Sequence, residues 1–215
     1  VNETGNFDKI AAAYRWLEYL TFANTLQQCR THYLPELSTC KSALILGDGD
    51  GRFTAALLKS NPTINVDAVD TSAVMLSLLK KRCGATTRLR LHLADARSFI
   101  PGGGYDLVVT HFFLDCLSQG DTETLVKRVS CKTNPNFQWL LSEFAIPTGP
   151  MGAIAKVVIR LMYLGFKMMT GLRAAKVPDY EAAFHAAGFQ CENSHRSLGG
   201  LLKADLWQAS RAAIN

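Results

Sequence analysis

No two of the six cysteines stand at C-x-x-C spacing, and none joins a histidine in a zinc-like cluster. Dithiol redox chemistry and a structural zinc site are therefore not expected, nor is any other metal. Cys29, Cys40, Cys83, Cys116, Cys131 and Cys191 read as reduced packing residues of a cytoplasmic protein. There is also no run of five or more basic residues; the net charge of +5 is spread along the chain, which gives a nucleic-acid partner no support. The amino terminus, VNETGNFDKIAAAYRW, lacks a basic stretch followed by an apolar core, which argues against secretion. Only MGAIAKVVIRLMYLGFKMMT, from Met151 to Thr170, is long and apolar, and Lys156, Arg160 and Lys167 interrupt it, so a bilayer-spanning helix is not expected. Internal repeats and low-complexity segments are missing too. What is present is an ordinary globular composition, 48% hydrophobic and 19% charged, in 215 residues: one domain with its own core.

The pattern along the chain alternates. Apolar residues near helical spacing over 7–33 predict one or two helices, followed by a strand at SALIL (42–46) and a helix over about 51–59. INVDAV (64–69) predicts a second strand, and Ser72 caps a helix to about Arg82. RLRLHL (88–93) alternates as a third strand, YDLVVT (105–110) is a fourth, and a helix spans about 121–132. Asn134-Pro135-Asn136 then turns the chain into FQWLLS (137–142), the fifth strand. A helix over 178–187 precedes two runs, FQCENSHR and LLKADLWQ, that read as an antiparallel pair at one edge. Strands separated by helices require right-handed crossovers, hence an α/β, doubly wound, mainly parallel sheet.

Ligands of such sheets bind beyond the carboxyl ends of the strands. There, after the first strand, stands GDGDGRF, residues 47–53. A dinucleotide fingerprint would need glycine or alanine at position 52, where Arg52 stands, and Asp48 and Asp50 would face a pyrophosphate. Like charges ~4 Å apart repel by roughly 4 kcal/mol at an effective dielectric of 20. A cationic ligand such as S-adenosyl-L-methionine is attracted instead. Asp70 ends the second strand, nineteen residues past Gly51, where a carboxylate can accept ribose hydroxyls. Asp95, after the third strand, can take an adenine amino group. The plainer alternatives are helix and turn caps at Asp70 and Asp95.

The motifs ALILGDGDGRF, VDAVDTSAVML, LHLADARSF and YDLVVTHFFLDCL, in that order between Ala43 and Leu117, resemble the class I S-adenosylmethionine-dependent methyltransferases. That resemblance implies their Rossmann-like seven-stranded sheet with one reversed strand, which accounts for the closing antiparallel pair. It implies that Gly47, Asp48, Gly49, Asp50 and Gly51 surround the methionine part of the cofactor and Asp70 its ribose. Thr71, Ser72, Asp95 and Ala96 would line the adenine slot, Thr110 would lie near the cofactor, and Tyr14 would close over it. One departure is Ile45, which stands where these enzymes often carry an acid; Asp48 or Asp50 is expected to compensate. NFDKIAAAYRWLEY and LLSEFAIP loosely resemble the quinone C-methyltransferases of ubiquinone and menaquinone synthesis.

Methyl transfer is an in-line displacement, and alignment alone can remove on the order of 7–11 kcal/mol of barrier. If the acceptor must lose a proton, His111 and Asp115, just past the fourth strand, are the candidate bases, with a buried histidine and a helix cap as the alternatives. Glu143 either faces the pocket or holds a neighbouring loop. In the apolar helix Lys156, Arg160 and Lys167 fall within roughly 40° of one another. It is expected as a lid, within a 148–175 insertion over a small apolar or aromatic acceptor, with residues 1–40 as a helical cap. Peripheral contact with a membrane surface and plain core packing are its other two readings. LILGDGDG also resembles the glycine turn of spermidine synthases, an aminopropyltransferase alternative, but THFFLDCL lacks their D-x-x-D pattern. A non-catalytic cofactor-binding protein is the third alternative. The oligomeric state is open.

Overall fold

The computed structural model describes residues 24–131, 133–145 and 178–209. Seven strands form one sheet in the order β3-β2-β1-β4-β5-β7-β6. They are β1 (Ser42–Leu46), β2 (Asn65–Asp70), β3 (Leu89–Leu93), β4 (Tyr105–His111), β5 (Thr133–Phe144), β6 (Phe189–Ser197) and β7 (Leu202–Ala209). All neighbouring pairs from β3 to β5 are parallel, and only β7 runs against its neighbours. The helices are α1 (Thr25–Thr31), α2 (Arg52–Ser60), α3 (Ala73–Cys83), α4 (Gln119–Ser130) and α5 (Tyr180–Ala186). This is the doubly wound α/β sheet the sequence predicts. The expected lid (148–175), most of the expected cap and Tyr14 lie outside the described residues.

The centre of the sheet is where the sequence is most apolar. Ala43 to Leu46 of β1 are buried, sandwiched between β2 and β4, as a strand covered on both faces must be. Alternate residues feed two cores: Ile45, Val109 and Leu140 join Phe53 and Leu57 of α2 on one face, while Leu46, Val108 and Trp139 join Phe184 and Trp207 on the other. RLRLHL alternates because β3 is an edge, with Arg90 mostly exposed. Helix starts follow side-chain caps: Ser72 Oγ accepts from the Met75 amide at 3.2 Å, and Ser118 Oγ accepts from the Asp121 amide at 3.1 Å. The latter cap starts α4 two residues before the predicted position.

One expectation shifts. Asn134-Pro135-Asn136 does not turn the chain before β5; it lies inside the strand, where the register jumps from Tyr105↔Thr133 to Leu107↔Gln138. A bulge absorbs the extra residues, and Asn134 Nδ2 bonds the Gly104 carbonyl and Asp106. The closing antiparallel pair stands at one edge as expected, with β7 inside β6, so the charges of β7 are enclosed: Lys203 Nζ lies 2.8 Å from Asp205 Oδ2 and 2.5 Å from Glu181 Oε1.

Candidate active site

The glycine turn leaves β1 at the carboxyl edge of the sheet, tied back by the Gly47 amide, which donates to the Val69 carbonyl at 2.9 Å. Its three glycines have different neighbours. A Cβ on Gly51, which is left-handed at φ 79°, would fall 2.8 Å from the Leu79 Cα, so this glycine lets α2 and α3 approach. A Cβ on Gly47 would fall 2.5 Å from Phe113 Cδ2. Gly49, at φ 60°, has nothing within 4 Å on that side. It is the open point of the turn, where a ligand can approach backbone.

The aspartates of the turn divide. Asp48 is buried; its Oδ2 accepts from the Thr54 amide at 2.8 Å and the Thr54 hydroxyl at 2.6 Å, while its Oδ1 has no hydrogen-bond partner. Burial pushes its carboxyl up, with Asp50 adding to the effect. Asp50 instead faces guanidinium groups, 2.6 Å from Arg82 Nη2 and 3.3 Å from Arg52 Nε. Its charge is balanced within the protein, so of the two substitutes expected for the acid absent at Ile45, Asp50 is engaged by two guanidinium groups whereas Asp48 keeps an unbonded oxygen. Asp70 Oδ1 accepts from the Ser72 amide at 2.9 Å, and the Gly49 and Thr71 amides also turn toward the carboxylate. Burial, with Asp48 nearby, raises its pKa to about 6.

Around the expected adenine slot the hydrogen bonding is mostly internal. Asp95 accepts from the Arg97 amide at 2.8 Å and grips the Arg97 guanidinium, which pulls its pKa down. This is the turn-capping alternative, with a guanidinium added. Ala96 is buried and its carbonyl receives Arg128. Thr71 is exposed, and the Ser72 hydroxyl caps α3. Thr110 is fully buried and accepts from Trp139 Nε1 at 3.0 Å, so its hydroxyl points into the core rather than toward the glycine turn. Strand parity decides this: Thr110 shares a face with Val108.

His111 is turned the other way. It packs edge-on to Phe53, centroids 4.4 Å apart, and its Nδ1 lies 2.9 Å from Ser142 Oγ. Burial, reinforced by Arg30, drives its pKa well below the usual range, and its Nε2 is enclosed without a partner. It packs in the core, the buried-histidine alternative, with Nε2 enclosed away from any approaching acceptor. Asp115 is buried in a short turn (Leu114–Cys116) beside Glu143. Glu143 is 1% exposed; its Oε1 accepts from the Phe113 and Leu114 amides at 3.2 and 2.9 Å, so it holds the neighbouring loop. Burial and then Asp115 push its carboxyl well above the ordinary range.

One residue near the site carries no local sequence signal. Arg30, buried in α1, sits 5.3 Å from the Phe112 ring centroid and acts electrostatically on both Asp48 and His111. Only the tertiary fold brings it there. No group of three or more metal-ligating side chains occurs among the described residues.

Residues 43–136 match the family model of a methyltransferase domain. Over 83 aligned residues the chain is 31% identical to polyamine aminopropyltransferase 2 of Bacillus cereus, covering 34% of this chain and 23% of that protein. Among solved structures, the mitomycin 7-O-methyltransferase MmcR superposes with a TM-score of 0.71 at 16% identity, over 95% of this chain and 60% of that one. Human N-acetylserotonin methyltransferase, in complex with its methyl donor, gives 0.68 at 15% identity, over 95% and 57%. The chain thus spans about three fifths of the solved chains it resembles and under a quarter of the curated relative. At these identities the superpositions establish the fold. With the domain match, they give residues 43–136 the likeness of a methyltransferase domain within a methyltransferase-like fold.

Proposed function

We propose that the protein transfers a methyl group from S-adenosyl-L-methionine to a small apolar or aromatic acceptor. One observation carries the choice of cofactor: Asp48 and Asp70, beside the open Gly49, are both held above their ordinary pKa, chiefly by burial, and Asp48 raises Asp70 further. A pyrophosphate would add to that crowding, whereas a ligand carrying a sulfonium and an ammonium relieves it. The residues fit such a ligand. Gly49 offers approach to backbone, Asp48 an unbonded carboxylate oxygen, and Asp70 a second oxygen for ribose hydroxyls. When bound, the cofactor supplies a methyl carbon already activated toward displacement. The chain's own task is then to align the acceptor and exclude water.

The acceptor would lie past β4 and β5, where Phe112, Phe113 and Phe144 are only partly buried, with Asp115 taking the proton of an acceptor that must lose one. Residues 148–175 would cover it as a lid and residues 1–40, with Tyr14, would cap the cofactor. The aminopropyltransferase alternative is favoured by the Bacillus cereus match, but needs acids for a polyamine. Past β4 the described residues offer Asp115 and a Glu143 whose Oε1 is already occupied by two amides.

Equilibrium binding decides. S-adenosylmethionine is expected to bind and NAD not, and Asp70→Ala is expected to weaken binding by about 10-fold or more, the loss of hydrogen bonds to a charged group. Protonation predicts the same direction in the native protein, with affinity falling as pH drops through about 6. Preference for NAD, or for the decarboxylated donor over S-adenosylmethionine, overturns the assignment.

A further inference from the structure

We propose that Glu143 is a positioning residue: from the end of β5 it fixes the turn after β4 and, through Phe113, the Gly47 end of the glycine turn. This rests on the cofactor reading above and assigns to the far side of the site a part in shaping its near side.

Three consecutive amides after β4 are held by two consecutive residues of β5. The Phe112 amide donates to the Ser142 carbonyl at 2.7 Å, and those of Phe113 and Leu114 converge on Glu143 Oε1 at 3.2 and 2.9 Å. Within this clasp Phe112 takes φ 51°, a left-handed conformation uncommon for an aromatic residue. Such conformations persist where the surroundings over-determine them, and they cluster at functional sites. The consequence is a sharp change of direction that lays the Phe113 ring on Gly47, so close that a Cβ there would meet Cδ2 at 2.5 Å. Gly47 in turn is bonded to Val69, one residue before Asp70. A path of direct contacts therefore runs from Glu143 through Phe113 to the turn that carries Asp48 and Gly49.

The chemistry of the clasp explains why a glutamate stands at 1% exposure. One acceptor oxygen takes both amides, while Oε2 is enclosed without a bond. Burial and the Asp115 charge favour the neutral acid, and a neutral acid still offers a carbonyl oxygen to two N–H groups. Glutamine offers the same oxygen at the same reach. Aspartate falls one methylene short, and alanine removes the clasp.

The test combines cofactor affinity with amide exchange on the full chain. Glu143→Gln is expected to bind S-adenosylmethionine within about twofold of the parent. Glu143→Ala and Phe113→Ala are each expected to weaken binding by about tenfold. The double variant is expected to be no weaker than the weaker single, because both changes cut one path. Exchange at Gly47 and Gly49 is expected to quicken in Glu143→Ala, while that at Val66 and Ala68 stays unchanged. Additive losses, unaltered affinity in Glu143→Ala, or unaltered loop exchange overturn the proposal. If Glu143→Ala does not fold, Glu143→Asp replaces it, with the same expectation of weakened binding against Glu143→Gln. If the parent itself fails to bind, the cofactor reading falls, and loop exchange alone then decides the positioning role.

Discussion

On the β2–β3 side of the sheet, the buried Asp67 carboxylate accepts from Arg90 Nε at 2.7 Å, Arg90 Nη2 at 2.6 Å and Tyr105 Oη at 2.9 Å, with His92 Nε2 at 2.7 Å. On the β5 side, the buried Glu143 has two amides on one oxygen and nothing on the other. Burial opposes ionisation in both. At Asp67 the hydrogen bonds from Arg90, His92 and Tyr105 outweigh it and bring the pKa down to about 2; at Glu143 the neighbouring Asp115 adds to it and the pKa rises. The same functional group is thus held toward the anion in one half of the sheet and toward the neutral acid in the other. Asp67 has the more donors and Glu143 lies the deeper, and both differences push the two outcomes apart. Asp67, bonded on both oxygens within β2, is scaffold, whereas Asp48 and Glu143, each with an unbonded oxygen, stand near the carboxyl ends of β1 and β5.

Breaking the anionic side is expected to have the largest effect. Asp67→Ala leaves the buried Tyr105 hydroxyl without its acceptor and the mostly exposed Arg90 without its partner, a loss of about 2 kcal/mol in unfolding free energy measured by denaturant titration. The pH dependence has a definite sign. With a folded pKa of about 2 against 3.8, the Asp67 contribution is complete above pH 3.8 and disappears as pH falls through 2. The parent is therefore expected to lose stability over that window and Asp67→Ala to lose less. Equal acid sensitivity in the two would erase the contrast between the halves.

Glu143 predicts the opposite slope. Its folded pKa is above 4.5, so the folded state holds its proton more tightly than the unfolded chain does. That contribution is complete below 4.5 and is lost as pH rises toward the folded value. Glu143→Gln has no proton to lose. It is expected to match the parent near pH 4.5 and to exceed it by about 1 kcal/mol near pH 8, a difference visible as a flatter plot of unfolding free energy against pH. A parallel plot would mean that the acid is ionised and partnered as Asp67 is.

How much of this was legible in sequence follows from the range of each interaction. β1 begins and ends where SALIL predicts, because four apolar residues bounded by Ser42 and Gly47 carry their own signal. Ser72 likewise announces α3 over a span of three residues. The start of β5 was missed because Asn-Pro-Asn is turn chemistry locally, and only pairing with β4 turns it into a bulge. Thr110 ends a strand beside the expected cofactor, but alternation along β4 sends its hydroxyl to Trp139. His111 was open between base and core, and only its contacts with Phe53 and Ser142, on separate elements, decide for core. Asp48 and Asp70 stand together beside the glycine turn, as their positions after β1 and at the end of β2 suggest, whereas the partner of Asp50, Arg82, stands thirty-two residues away. No local pattern could supply it.

The smallest effect is expected at that last pair. Arg82 is 38% exposed and Asp50 14%, and Arg82 also donates from Nε to the Asp50 carbonyl at 2.9 Å, so the contact fastens the end of α3 to the glycine turn. An ion pair at this exposure contributes up to about 1 kcal/mol and is screened by salt. Arg82→Ala is therefore expected to lower unfolding free energy by less than about 1 kcal/mol, and by less still in molar salt. Arg52, 16% exposed, still faces Asp50 after the substitution, so the field at the turn changes little. Affinity for S-adenosylmethionine is expected to stay within about threefold of the parent, tighter if it moves at all, because uncovering a carboxylate favours a cation. A large loss of affinity would show that Arg82 itself holds the ligand, and would move Asp50 and its arginines from scaffold to site.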